Sequence, residues 1–115
     1  MRTTRWILPG VLCCATAAAW AMPAYRTSFL KNTKTKPTSP LAMAQCALCH
    51  VANGTARNPY GRDLGAAMKA ERTREASAAV LKRIGSLDSD KDGVTNAKEL
   101  AAGTLPGDPK SKPKK

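Results

Sequence analysis

The residues best suited to chemistry stand together as Cys46-Ala47-Leu48-Cys49-His50. This C-x-x-C-H pattern is typical of c-type haem attachment. Two thiols at this spacing can add to the two vinyl groups of a porphyrin, and the histidine that follows can bind the iron. His50 is the only histidine in the chain, so no second histidine can bind the opposite face. The motif therefore predicts one covalent haem c with His50 as the proximal axial ligand.

Two other interpretations of the cysteine pair are a disulfide and a thioredoxin-like redox site. A redox C-x-x-C is expected beside a strand–helix–strand unit, and the sequence around the motif shows no such pattern. We therefore favour haem attachment over both alternatives.

A second group of candidate ligands lies in residues 88–99, DSDKDGVTNAKE. The spacing fits D-x-D-x-D-G-x5-E, the pattern of an EF-hand calcium loop. Calcium binds about six to eight oxygen atoms in a flexible arrangement. The candidate ligands are the side chains of Asp88, Asp90, Asp92, Asn96 and Glu99 and the backbone carbonyl of Val94.

The same residues also fit a metal-free alternative. In that alternative a polar turn leads into a capping box, with Asn96 as the N-cap of the last helix and Glu99 three residues later. Four of the eight acidic residues of the chain fall in this loop, where they would repel one another without a cation. We therefore favour one bound Ca²⁺.

Residues 1–21 are typical of a cleaved secretory signal. Arg2 and Arg5 form its positively charged start, residues 7–19 are apolar, and Ala19-Trp20-Ala21 is an A-x-A cleavage site. We expect the mature chain to be periplasmic or extracellular. An uncleaved anchor is the alternative.

The chain is strongly basic, with a formal charge of +11 that falls to +9 when Arg2 and Arg5 are removed. Such a surface favours a redox partner with an acidic docking face, or an anionic membrane surface. Plain solubility is an equally good explanation of the charge. Export and a covalent haem argue against a nucleic-acid partner.

The pattern of apolar residues predicts an all-α domain at 41–105, preceded by a basic flexible arm at 22–40 and followed by a disordered tail at 106–115. The predicted helices cover 41–49, 59–69 and 73–84, with a short last helix that ends at Ala102 and is capped by Gly103. Because the mature chain has few aromatic residues, we expect the haem to fill much of the core. We also expect Gly61 and Gly65 to let the haem approach the second helix.

The sixth iron ligand is less well specified by the sequence. Met68 follows His50 by enough chain to reach the opposite haem face, and it shares a helical stripe with Tyr60 and Leu64. Met68 is our candidate for the distal ligand, with core packing as its alternative role. An open sixth position, or a Lys, Asn or water ligand, also fits the sequence.

The first half of the chain resembles small periplasmic or extracellular monohaem cytochromes c, through CALCH at 46–50 and NPYG at 58–61. This resemblance implies a small helical domain wrapped around the haem, electron transfer as the function, and His50 as the proximal ligand. The chain departs from that family in lacking a methionine-bearing loop near its end.

The segment DSDKDGVTNAKELAAGTLPGDP, at 88–109, resembles bacterial thrombospondin type 3-like calcium repeats. The match covers the D-x-D-x-D-G-V core and the trailing G-T-x-P-x-D-P. The resemblance implies calcium binding, and the fold that we predict ends in a calcium-loop helix pair at the C-terminus. Such repeats occur in arrays, whereas this chain has one copy.

These features together predict an exported electron carrier, not an enzyme, with one haem c and one Ca²⁺. One alternative is a haem-based ligand sensor or weak peroxidase with an open distal face. The lone His50 argues against a peroxidase, because no distal histidine is left for acid–base catalysis. A further alternative is a calcium-dependent assembly module in which the haem is structural.

Overall fold

The computed structural model describes residues 21–114, so residues 1–20 of the predicted signal lie outside the described part. Within it, the chain forms five α-helices and one 3₁₀ helix: α1 (Ala21–Thr33), α2 (Pro40–Met43), the 3₁₀ helix (Gln45–Leu48), α3 (Pro59–Ala70), α4 (Ala78–Ile84) and α5 (Asn96–Ala102). The described residues contain no β-strand, only an isolated bridge between His50 and Arg57. This agrees with the predicted all-α class. None of these helices is both long enough and apolar enough to span a membrane.

Helix α1 differs from the basic flexible arm predicted for residues 22–40. Phe29 is fully buried, and its ring meets the ring of Tyr60 edge-on with 6.4 Å between centroids. Farther along α1, the Asn32 side chain donates a hydrogen bond to the carbonyl of Ala76 at 3.0 Å. Helix α1 is thus held by contacts with residues more than thirty positions away in the sequence.

The predicted single helix at 41–49 is divided into α2 and the 3₁₀ helix. The start of α2 is as expected, because Pro40 opens it and the hydroxyl of Ser39 accepts a hydrogen bond from the Ala42 amide at 3.2 Å. The interruption lies at Gln45, whose φ of 49° is in the left-handed region. The turn that follows carries the cysteine motif.

Helix α3 has its predicted start at Pro59, with Asn58 as N-cap. Helix α4, by contrast, begins at Ala78 and not near Thr73. Its N-cap is Ser77, whose hydroxyl accepts a hydrogen bond from the Val80 amide at 3.3 Å. Serine in this role ends the non-helical connection and starts the helix.

Buried side chains from all five α-helices and from the 3₁₀ helix form one hydrophobic core. The buried hydrophobic members are Phe29, Leu41, Leu48, Tyr60, Leu64, Ala67, Ala76, Val80, Ile84 and Leu100. Side chains therefore supply a core of their own, and the expected contribution of a haem to the core stays a prediction.

The segment after α5 folds back against the domain. Pro106 is fully buried, the Leu105 amide donates to the hydroxyl of Ser111 at 3.0 Å, and the Lys112 ammonium donates to the backbone carbonyl of Asp92 at 2.7 Å. These contacts differ from the disordered tail predicted for 106–115.

Candidate haem-attachment and calcium sites

The cysteine motif forms a tight turn. The amides of Cys49 and His50 both donate to the carbonyl of Cys46, at 3.2 and 3.0 Å. Both cysteines are free thiols; Cys46 is exposed and Cys49 is half-buried. The turn thus presents two sulfur atoms and one imidazole from five consecutive residues.

The imidazole of His50 is oriented by the loop that follows it. Its Nδ1 lies 2.8 Å from the backbone carbonyl oxygen of Thr55. Because a carbonyl only accepts hydrogen bonds, Nδ1 carries the proton, and Nε2 of the neutral ring has its lone pair available for a metal. Histidines that bind metals usually donate their other ring N–H in this way. The geometry of His50 therefore fits an axial ligand.

Asn58 fixes the backbone of the motif, a role that the sequence did not predict. Its buried side-chain amide donates to the carbonyls of Ala47 and Leu48 at 3.1 and 3.0 Å. Its side-chain oxygen accepts from the Gly61 amide at 2.8 Å. One residue therefore caps α3 and ties that helix to the motif.

Gly61 and Gly65 have a different role from the predicted one. A Cβ atom on Gly61 would overlap the carbonyl oxygen of Cys49, and one on Gly65 would overlap the guanidinium of Arg57. The two glycines therefore allow α3 to lie against the motif's own backbone and against Arg57. Our expectation that they make room for the haem is corrected accordingly.

Burial raises the pKa of the Cys49 thiol to about 11, although the nearby charge of Arg57 opposes the shift. A redox or metal-binding cysteine needs an accessible thiolate, which this environment disfavours. A thioether carries no charge, so its burial has no such penalty. The environment of Cys49 therefore fits haem attachment better than a thioredoxin-like role.

An open groove of about 790 Å³ runs beside the motif, lined by residues 44–47 and 51–55. Cys46 forms part of its wall. Val51 is one of the lining residues and has 44% of its surface exposed. Met43, which precedes the first lining residue in the sequence, has 70% of its surface exposed. Apolar side chains exposed beside a free thiol fit the face of a porphyrin.

Met68 lies on α3, partly buried, and packs against the hydrophobic core. That packing is the alternative role which the sequence left open. Its role as distal iron ligand stays a prediction.

The acidic loop brings its three aspartates together. Carboxylate oxygens of Asp88, Asp90 and Asp92 lie within 4.8 Å of one another. The two oxygens of Asp88 accept hydrogen bonds from the amides of Asp92 and Gly93, at 3.1 and 2.8 Å. Gly93 has a φ of 91°, a conformation that favours glycine. Gly93 is the sixth residue of the loop, where an EF-hand calcium loop needs a sharp turn, and that turn is present.

Glu99 is fully buried, and neither of its carboxylate oxygens has a hydrogen-bond partner. One oxygen each of Asp90 and Asp92 is also buried without a partner. Burial, and then the charges of Asp90, Asp92 and Asp88, raise the pKa of Glu99 to about 8. The pKa of Asp90 rises to about 6, because of burial and the charge of Asp92.

The unpartnered oxygens distinguish the two interpretations of residues 88–99. In a capping box, Glu99 would accept a hydrogen bond from the N-cap amide, and it does not. Thr95 and not Asn96 is the N-cap of α5. A buried, ionised carboxylate without a donor is unfavourable unless a cation binds it or a proton neutralises it. The geometry therefore does not fit a cap, and it leaves these oxygens available to a cation.

Asn96 differs from its predicted role as a ligand. Its side-chain amide donates to the carbonyl of Ile84 and to the hydroxyl of Ser89, both at 2.9 Å. Its side-chain oxygen accepts from the Ser89 amide at 3.3 Å. Asn96 thus connects the loop residue Ser89 to the end of α4 by hydrogen bonds. We therefore leave Asn96 out of the proposed ligand set. The backbone carbonyl of Val94 stays a predicted ligand.

Comparison of the chain with protein-family models, with curated proteins and with solved structures gave no match. The functional assignment therefore rests on the residues and geometry of the two sites.

Proposed function

We propose that the mature chain is an exported electron-transfer protein with one covalent haem c and one Ca²⁺. Cys46 and Cys49 would form the thioethers, and Nε2 of His50 would bind the iron. The observation that carries this proposal is the hydrogen bond from Nδ1 of His50 to the Thr55 carbonyl. With Nδ1 donating this hydrogen bond, Nε2 of His50 is available to bind a metal, close in sequence to two free thiols.

The haem, when bound, supplies a one-electron Fe(III)/Fe(II) couple. The protein supplies the orientation of the ligand and the rigidity of the attachment site. The Thr55 carbonyl holds the imidazole ring and increases the basicity of Nε2. Asn58 and Gly61 hold the motif against α3. A rigid site needs little rearrangement when the iron changes charge.

Calcium would be held by the carboxylates of Asp88, Asp90, Asp92 and Glu99 and by the carbonyl of Val94. Its charge would offset the repulsion among these carboxylates and would partner the buried oxygens of Glu99. Since the loop connects α4 to α5, the ion would brace the C-terminal helix pair.

The proposed location and partner follow from the predicted signal at 1–21 and from the basic charge. Residues 21–114, the part that the structure describes, offer no acid–base or nucleophilic constellation beyond these sites, and we propose a carrier and not an enzyme. Its partner would be a redox protein with an acidic docking face, or the chain would associate with an anionic membrane surface.

The proposal is tested by expression of the full chain in an export-competent strain that matures haem c. We expect the purified mature protein to carry one covalent haem, seen by mass spectrometry and by haem staining after denaturation. Variants C46S and C49S should each lose one thioether, and H50A should lose the low-spin spectrum. Absence of covalent haem from the wild-type chain would refute the haem part of the proposal.

The packing of Met68 against the core favours a second candidate function, a haem with an open sixth position that binds a small gas. Ferrous spectra with and without carbon monoxide separate the two candidates. A low-spin haem that does not bind carbon monoxide supports the carrier. A high-spin ferrous haem that binds it readily supports the sensor.

A further inference from the structure

Ser89, the second residue of the acidic loop, connects that loop to α3. Its hydroxyl donates to Oδ2 of Asp63 at 2.6 Å, across 26 positions in the sequence. The same hydroxyl accepts from the side-chain amide of Asn96. A hydrogen bond to a carboxylate is shorter and stronger than a neutral one, so Ser89 is a firm link between α5 and α3.

Asp63 lies on the helix that supports the cysteine motif. Gly61, two residues earlier on α3, is in direct contact with the backbone of Cys49. Asn58, the N-cap of the same helix, donates to the carbonyls of Ala47 and Leu48. A displacement of α3 therefore changes the backbone that carries the thiols and His50.

We propose that Ser89 and Asp63 are positioning residues that transmit calcium occupancy of the acidic loop to the haem-attachment segment. This inference rests on the proposed calcium and haem sites. Without the cation, the carboxylates repel one another and the loop opens locally, which breaks the Ser89–Asp63 hydrogen bond for part of the time. With the cation the loop closes, and the hydrogen bond holds α3 in place.

The coupling is tested by amide hydrogen exchange of the haem-loaded mature chain, in millimolar CaCl₂ and in EDTA. In the wild-type chain we expect calcium to slow exchange in residues 88–99 and, by about fivefold or more, in residues 47–61. S89A should keep the calcium response of the loop but lose the response of residues 47–61. We expect its calcium affinity, measured by isothermal titration, to fall by about twofold to tenfold.

Three matched variants sharpen the test. S89T keeps the hydroxyl and should restore the wild-type response. D63A removes the acceptor of the same hydrogen bond and should also lose the response of residues 47–61, so the test can be made even if S89A does not fold. S86A changes an exposed serine of the same connection, and should behave as wild type.

The outcomes separate this inference from the proposed function. If calcium protects the wild-type loop but not residues 47–61, the coupling is wrong and the calcium site stands. If S89A and D63A retain the protection of residues 47–61, these two residues are not the link. If calcium protects no part of the wild-type chain, both the calcium site and the coupling are overturned.

Discussion

The cysteine motif and the acidic loop are held in opposite ways. Around the motif, neutral hydrogen bonds to backbone carbonyls fix His50 and the turn, through Thr55 and Asn58. In the loop, the aspartates accept hydrogen bonds from backbone amides, yet the buried oxygens of Glu99 have no donor. In the first region the side chains of His50 and Asn58 have protein partners. The second region is electrostatically incomplete, because buried carboxylate oxygens of Glu99, Asp90 and Asp92 have no hydrogen-bond partner.

The tight packing behind the motif gives the largest expected effect. G61A places a methyl group on the carbonyl oxygen of Cys49, and we expect it to lower the free energy of unfolding by about 3 kcal/mol. G65A meets the end of the flexible Arg57 side chain, and also gains helix propensity, so it should change stability by less than about 1 kcal/mol. Urea unfolding measures both. Equal effects would show that α3 does not need its close approach to the motif.

Calcium should stabilise the loop region by a comparable amount. At a concentration about one hundred times its dissociation constant, the ion should add about 2.7 kcal/mol to the free energy of unfolding. E99Q removes the charge of the buried carboxylate but keeps its shape. We expect this variant to be more stable than wild type in EDTA at pH 8, and to lose most of the response to calcium. The measurement is thermal unfolding with and without CaCl₂, and an unchanged calcium response in E99Q would exclude Glu99 as a ligand.

The dependence on pH should also distinguish the loop from the motif. In the metal-free chain the pKa of Glu99 is about 8, above its ordinary value of 4.5. A raised pKa of an acid means that protonation stabilises the fold, so this contribution is fully present below pH 4.5 and is lost as the pH rises through about 8. Asp90, with its pKa raised to about 6, acts in the same direction.

We therefore expect the stability of the metal-free chain to fall between pH 5 and pH 8, and its calcium affinity to rise over the same range. Denaturant titrations at several pH values in EDTA, and calcium titrations at the same pH values, measure the two trends. The E99Q variant should show a flatter stability profile. A wild-type profile as flat as that of E99Q would contradict the role given to Glu99.

A small effect on stability is expected at Met68. M68L preserves volume at the margin of the core and should change the free energy of unfolding by less than about 1.5 kcal/mol. If Met68 is the distal ligand, the same variant loses the methionine–iron charge-transfer band of the ferric protein. An unchanged spectrum would remove Met68 from the iron and leave it as a packing residue.

The sequence predicted what depends on local spacing, and failed where distant contacts decide. The C-x-x-C-H and D-x-D-x-D-G patterns located both candidate sites, and cap residues located the start of α3 and the end of α5. Helix α1 could not be predicted in this way, because its position depends on Phe29 meeting Tyr60 across the fold. The positioning roles of Asn58 and Ser89 were missed for the same reason, since their partners lie 10 and 26 residues away.

The long-range docking of α1 has a consequence for the order in which the chain folds. Synthesis, and export if it occurs as we propose, proceeds from the N-terminus, so α1 and the cysteine motif emerge before α3 and α4 are present. Phe29 then has no Tyr60 to pack against, and the motif has no Asn58 or Gly61 behind it. During this interval both thiols are accessible, and Cys49 becomes half-buried only when the later helices arrive. If the chain carries a covalent haem as we propose, this is the interval in which the haem would be attached.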